Sequence, residues 1–342
     1  MVLVKVGGRF ENVGVQNSEE ARRKYRQMLF EAPGCEEFLS GAILDPETLY
    51  QRSSTTGELF PELLMNKGIV PGVKPHLKVY ALPGQNGSTV MQGLDSLAAR
   101  CKEYRAAGAR FAKWRSPLEI DMKTQQPSDL VINANMNDLA RYALICQAEG
   151  LVPIVEPDIS LKGCHSLEDA VNINVKVQSV LYKAMLDHGV FMEGSLLKSN
   201  MVNAGVDCET NYSVREIAKA NVNVLRRCMP VAIRSANFLS GGQSLRDAAA
   251  RLSAMNQVKG DFPVNLSFSW SAALQLPLLD LCKTMCTDGE LSQSILDAMS
   301  VLYLEELAIA SAAATGDFAY GDGDGDHTPM VRETVTAASA LS

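Results

Sequence analysis

Residues 194–202 read Gly-Ser-Leu-Leu-Lys-Ser-Asn-Met-Val. Leu196 and Leu197 form an apolar pair, and Lys198 follows them just ahead of the polar Ser199 and Asn200. The pattern predicts a short buried strand whose trailing end carries a lysine into a loop. Such a lysine has two uses. Either it leaves the strand for solvent, or it is held in a dry pocket where its amine loses a proton and can attack a carbonyl. What the neighbouring strands bring to the same place decides between them.

The design recurs along the chain. Residues 41–45 read as a buried strand ending in Asp45, and 70–74 as the next. Phe111 to Arg115 carries Lys113 and Arg115; Leu151 to Ile159 contains Val-Pro-Ile-Val before Glu156, Pro157 and Asp158. Two more strands are expected at 231–239 and 266–270. Helices are expected from Asn17 with Glu20 as its capping partner, near 57–67, over 93–107, and from Asn135 to Glu149. Further helices open at Ser166 (with Asp169) and at Ser213 (with Glu216), and the last run from 273 to 315. Seven apolar strands after residue 40 thus alternate with amphipathic helices, which argues for a parallel sheet covered by helices. Charged residues gather at the trailing ends of the strands. In a (β/α)8 barrel those ends share one mouth, so a barrel is the expected fold and an open doubly wound sheet the alternative. One domain over 1–315 and a polar, flexible tail over 316–342 complete the expected organisation.

If the strands close, Lys113, Glu156 and Lys198 converge. A second cation beside Lys198 favours its neutral amine, and an apolar setting is expected to raise the Glu156 pKa so that it can shuttle protons. An ion-pair network that only holds the barrel together is the competing reading. Ser240-Gly241-Gly242, after the seventh strand and before a helix, suits a phosphate, because glycines allow close backbone approach there. Asp322, Asp324, Asp326 and Glu333 have calcium-loop spacing, but His327 and Pro329 break the pattern, which leaves an acidic tail. His76, His165, His188 and His327 are dispersed, and Cys282 with Cys286 lacks a second pair, so no metal site is expected.

With 342 residues, 46% of them hydrophobic and 21% charged, the chain can bury a large core. A net charge of −7 argues against a nucleic-acid partner. Eight scattered cysteines, no membrane-length apolar run and no signal sequence point to a reduced, cytoplasmic setting.

Several motifs resemble class I fructose-bisphosphate aldolase: Phe-Ala-Lys-Trp-Arg at 111–115, Val-Pro-Ile-Val-Glu-Pro at 152–157, Leu-Leu-Lys-Ser-Asn-Met-Val at 196–202 and Phe-Leu-Ser-Gly-Gly-Gln-Ser at 238–244. Arg9-Phe10-Glu11-Asn12, Glu47 to Gln51 and Ala140-Arg141-Tyr142 add to it. The resemblance implies a (β/α)8 barrel, usually a homotetramer, that needs no metal or organic cofactor and reversibly cleaves fructose 1,6-bisphosphate to dihydroxyacetone phosphate and glyceraldehyde 3-phosphate. By the same resemblance Lys198 is the Schiff-base lysine, Glu156 the acid/base and Lys113 the neighbouring cation. Arg115 becomes a substrate contact, Ser240 and Gly241 part of one phosphate site, and Arg9 part of the other. Asp158 stands where the family usually has Glu. The family's first strand, with its aspartate, belongs ahead of Arg9, where only eight residues stand and Val2 to Val6 is β-prone. Leu77 and Ala272 align with substrate-binding cations. The expected activity is therefore aldolase cleavage, possible impairment included, with a catalytically inactive aldolase-like binding protein as the alternative.

Overall fold

The computed structural model describes residues 6–286 and 288–319. The chain opens with helix α1 (Val6–Glu11), which buries Val6 and Phe10, and helix α2 (Glu19–Glu31). Phe10 meets Tyr25 edge-on at 5.7 Å, which ties the two helices together. Strand β1 (Gly41–Leu44), helix α3 (Phe60–Asn66) and strand β2 (Val70–Val73) follow. A two-stranded antiparallel hairpin, β3 (Val79–Ala81) and β4 (Thr89–Met91), then precedes helix α4 (Leu97–Ala106).

Three strand–helix units come next: β5 (Phe111–Leu118) with α5 (Asp129–Ala148), β6 (Val152–Ile159) with α6 (Leu167–Asp187), and β7 (Leu196–Ser199) with α7 (Val214–Cys228). Strand β8 (Ser235–Phe238), helix α8 (Leu245–Val258), strand β9 (Asn265–Phe268) and helices α9 (Ala272–Met285) and α10 (Gln293–Thr315) complete the described chain.

The seven expected strands form one sheet in the order β1-β2-β5-β6-β7-β8-β9, and every pairing is parallel. A doubly wound sheet reverses direction from an internal strand. This order runs one way from first to last, so the sheet curls instead. Its two ends approach each other: Phe38 to Gly41 on the β1 side and Ser267 and Phe268 on the β9 side line one cavity of about 60 Å³. Outside the strands, α10 packs on both α8 and α2, and α2 packs on α3, so the helical layer continues across that seam. The architecture is a (β/α)8-type barrel with seven sheet strands among the described residues.

Local chemistry accounts for the helix starts. Ser166 and Ser213 each accept a hydrogen bond from the backbone N–H three residues on, while Asp169 and Glu216 reach back to the cap, as expected. The cap of α2 is Ser18 rather than Asn17, whose side chain instead accepts from Arg22 at 2.7 Å. Helix α5 begins under Ser128, ahead of the expected Asn135. Asn135 is buried inside it and donates to Thr89 O at 2.9 Å, pinning the hairpin to the helix. The strand expected over 231–239 shortens to β8, because Ile233 N closes a turn on Pro230 O.

At the start, Val6 belongs to a helix, and the rest of the β-prone segment, Val2 to Lys5, lies outside the described residues. The Asp322, Asp324, Asp326 and Glu333 pattern lies outside them as well. Among the described residues no helix is long and apolar enough to cross a membrane.

Candidate active site

Strand alternation sorts the side chains of β5 and β6. Trp114 points outward and packs on Tyr142 of α5, ring centres 5.4 Å apart, which leaves Lys113 and Arg115 on the inner face. On β6, Glu156 and Asp158 share the inner face in the same way. Lys198 comes from β7, next in the sheet.

Lys113, Glu156 and Lys198 are 3%, 4% and 3% exposed. One carboxylate serves both amines: Glu156 Oε2 lies 2.7 Å from Lys113 Nζ, and Oε1 lies 3.8 Å from Lys198 Nζ. Burial pulls the Lys198 pKa down to about 8, with the Lys113 charge adding to the fall and Glu156 opposing it. Glu156 departs from expectation. Burial alone would raise its pKa, but the charges of Lys113 and Lys198 and the hydrogen bond from Lys113 outweigh burial and hold it below the ordinary glutamate value. At rest it is a carboxylate. One layer further along the same strands, Arg115 Nε and Asp158 Oδ2 pair at 2.5 Å, so the shorter acid still reaches its partner.

The Lys198 loop is clamped by two asparagines that the sequence did not single out as functional. Asn200 Oδ1 accepts from Ile159 N at 3.1 Å, tying the end of β7 to β6. Asn221 on α7 accepts from Val202 N at 2.7 Å and donates to Val202 O at 2.9 Å. The available signal was a polar residue on the otherwise apolar stripe Ile217, Ala218, Val222, Val224 and Leu225. His76 was also passed over. Its ring meets Trp114 at 5.9 Å, and burial followed by the charges of Lys113, Lys74 and Arg115 hold it neutral, well below the usual histidine range. Leu77 is exposed, while the lysine that follows β2 directly is Lys74, 3.5 Å from Asp45 Oδ2.

Ser240, Gly241 and Gly242 leave β8 at the same end of the barrel, since Leu239 N continues the ladder to Ser199 O at 2.8 Å. Gly241 and Gly242 have φ of 58° and 82°, a region that favours glycine and turns the chain sharply into α8. Ser240 is buried, and its Oγ accepts from Ala273 N at 3.5 Å. Arg9 Nη1 donates to Ser271 Oγ at 3.4 Å. Arg9 and the glycine loop therefore meet at one segment, Ser271 to Ala273, rather than standing in separate places. Ala272 contributes no charge there.

The family model described as fructose-bisphosphate aldolase class-I matches residues 3–327. The chain belongs to this family. It is 42% identical to the fructose-bisphosphate aldolase of Dictyostelium discoideum over 92% of this chain and 85% of that one. To the cytosolic fructose-bisphosphate aldolase 4 of Arabidopsis thaliana it is 46% identical over 79% of this chain and 68% of the relative. Among solved structures, the Plasmodium falciparum fructose-bisphosphate aldolase in complex with TRAP and a small-molecule inhibitor superposes with a TM-score of 0.88 at 39% identity, covering 93% of this chain and 89% of that one. Within this aldolase chain, the residues picked from sequence fall into two groups. Lys113, Glu156 and Lys198, with Arg115 beside them, sit on strands, whereas Arg9, Ser240, Gly241 and Gly242 gather around the segment after β9.

Proposed function

We propose that this chain cleaves fructose 1,6-bisphosphate reversibly to dihydroxyacetone phosphate and glyceraldehyde 3-phosphate through an imine on Lys198. The observation that carries the reading is the buried Lys198 amine, with a pKa near 8, facing a carboxylate that Lys113 holds ionised. In its neutral form the Nζ lone pair adds to the substrate C2 carbonyl, and the carbonyl pair moves to oxygen. Glu156 carries two protons in turn to the C2 oxygen, first the one the Lys198 ammonium gives up on becoming neutral and then the one released from nitrogen after attack, so that the oxygen leaves as water and the protonated imine remains. The protonated imine then accepts the electron pair of the breaking C3–C4 bond as the C4 hydroxyl gives its proton to the Glu156 carboxylate and becomes the aldehyde. Lys113 keeps Glu156 in place and its own charge next to Lys198, and Arg115, fixed by Asp158, contacts the sugar. Arg9, Ser240, Gly241 and Gly242 seat a phosphate. This chemistry uses only the chain's own side chains.

A homo-oligomer, tetrameric as in the resemblance, and a cytoplasmic location complete the reading; cytosolic relatives support the second. So does a division into one barrel domain over 1–315 and a tail. The first tail residues are held by Ser253 Oγ, which donates to Phe318 O at 3.0 Å. Leu77 and Ala272, uncharged where the resemblance expects cations, favour a second reading in which the imine forms but turnover is low.

Borohydride added with dihydroxyacetone phosphate should fix one adduct on Lys198, and a coupled cleavage assay separates the two readings. Equal labelling of Lys198→Ala would remove the nucleophile assignment.

A further inference from the structure

The loop over Ser240, Gly241 and Gly242 rests on a residue with no role so far. Arg251 lies on the buried face of α8, 5% exposed. Its Nη1 donates to Gln243 Oε1, and Gln243 Nε2 donates to Ser240 O at 2.7 Å. The guanidinium therefore sets which way the Gln243 amide points, because the reversed amide would turn its NH2 against a cation. The amide in turn draws the Ser240 carbonyl inward. A carbonyl engaged in this way does not face an anion on the outer side of the loop.

Among the described residues the charge of Arg251 is offset through space by Asp247 rather than by a direct ion pair. Its Nε meets no hydrogen-bond partner, and no carboxylate pairs with it among the described residues. Asp247, one turn earlier and buried too, accepts instead from Ser244 Oγ at 2.7 Å. A buried guanidinium that Asp247 offsets only through space, without an ion pair, is costly, and the cost falls if a dianion settles on the loop in front of it. In front, Ser240 Oγ faces the Ser271–Ala273 segment, where Ala272 supplies no charge and Arg9 approaches from the other side.

We propose that Arg251 is a positioning residue for the phosphate group of the sugar phosphate: a buried cation behind the Ser240–Gly242 loop that fixes the loop through Gln243 and supplies positive potential to the anion in front. The proposal rests on the reading of that loop as the phosphate seat. It places one cation ahead of the phosphate, Arg9, and one behind it.

Inorganic phosphate binding, followed by calorimetry on the full chain, tests it with two variants. Arg251→Met removes the charge, and Gln243→Glu keeps the side-chain shape while setting a carboxylate against the guanidinium. Each should weaken phosphate binding by about tenfold or more, and Arg251→Lys should retain much of the affinity. In borohydride trapping, the dihydroxyacetone phosphate needed for half-labelling should rise by about tenfold relative to unphosphorylated dihydroxyacetone, which a general loosening of the barrel would not produce. Should Arg251→Met fail to fold, Gln243→Glu decides alone. Phosphate affinity unchanged in a folded variant overturns the proposal, as does a parent chain that binds no phosphate. If Lys198 is never labelled but phosphate affinity still depends on Arg251, the aldolase reading falls and this one stands.

Discussion

The two ends of the site are built on opposite plans. Lys113, Glu156 and Lys198 stand on consecutive strands, nearly dry, with two cations sharing one carboxylate. Around the glycine loop the charges come from helices and, among the described residues, lack direct ion pairs: Arg9 on α1 reaches a hydroxyl, and Arg251 on α8 an amide. A set of charges paired before substrate arrives suits a proton-transfer site, where each group's protonation state must be set in advance. Cations without a direct carboxylate partner suit a site that waits for an anion. The largest consequence falls on the strand end. Lys198→Met should abolish borohydride labelling and reduce cleavage by at least about 10⁴-fold, since no other side chain replaces a covalent electron sink.

Glu156→Gln attacks the pairing itself. Imine formation should slow by about 10²–10³-fold, and two buried cations without their shared carboxylate should cost about 3–5 kcal/mol of stability in denaturant unfolding. Stability unchanged in Glu156→Gln would mean that the ion pairs are not what holds the three strands together.

Titration distinguishes the two plans further. A folded Lys198 pKa of about 8 lies below the ordinary 10.5, so the fold disfavours the charged amine. That penalty is present in full below pH 8 and disappears as pH rises from about 8 to 10.5, where only the unfolded chain still binds the proton. Lys198→Met should therefore be more stable than the parent near pH 7, by roughly 3 kcal/mol at most, and the advantage should shrink above pH 8. The acid limb of kcat/KM should show an apparent pKa about 8. An acid limb at the ordinary lysine value would show that Lys198 is not desolvated.

The same contrast explains what was legible in the sequence. Strands announce themselves as short apolar runs, and a lysine or glutamate at their trailing ends can be placed in a barrel mouth by topology alone; Lys113, Glu156, Lys198 and all seven strands were found that way. The Glu156 pKa came out in the wrong direction because burial can be read from a run such as Val-Pro-Ile-Val, whereas the distances of 2.7 and 3.8 Å to two amines cannot. The hairpin β3–β4 escaped because strands of three residues carry too little periodicity, and here Asn135, distant in sequence, pins it. Arg251 and Asn221 looked like ordinary helix residues, since their partners are loops reached only through the fold.

The smallest effect belongs at the loop end. Ser271→Ala removes the hydroxyl that Arg9 Nη1 reaches at 3.4 Å, a long and weak hydrogen bond. Losing it should cost about 0.5–1 kcal/mol of substrate binding, a two- to fivefold rise in KM for fructose 1,6-bisphosphate with little change in kcat. The size follows from the plan of this end: Arg9 is held loosely because the phosphate, once bound, becomes its stronger partner. A larger KM effect, on the scale expected for Arg251→Met, would show that Ser271 fixes Arg9 before substrate arrives, and the two ends would then differ in charge pairing but not in preorganisation.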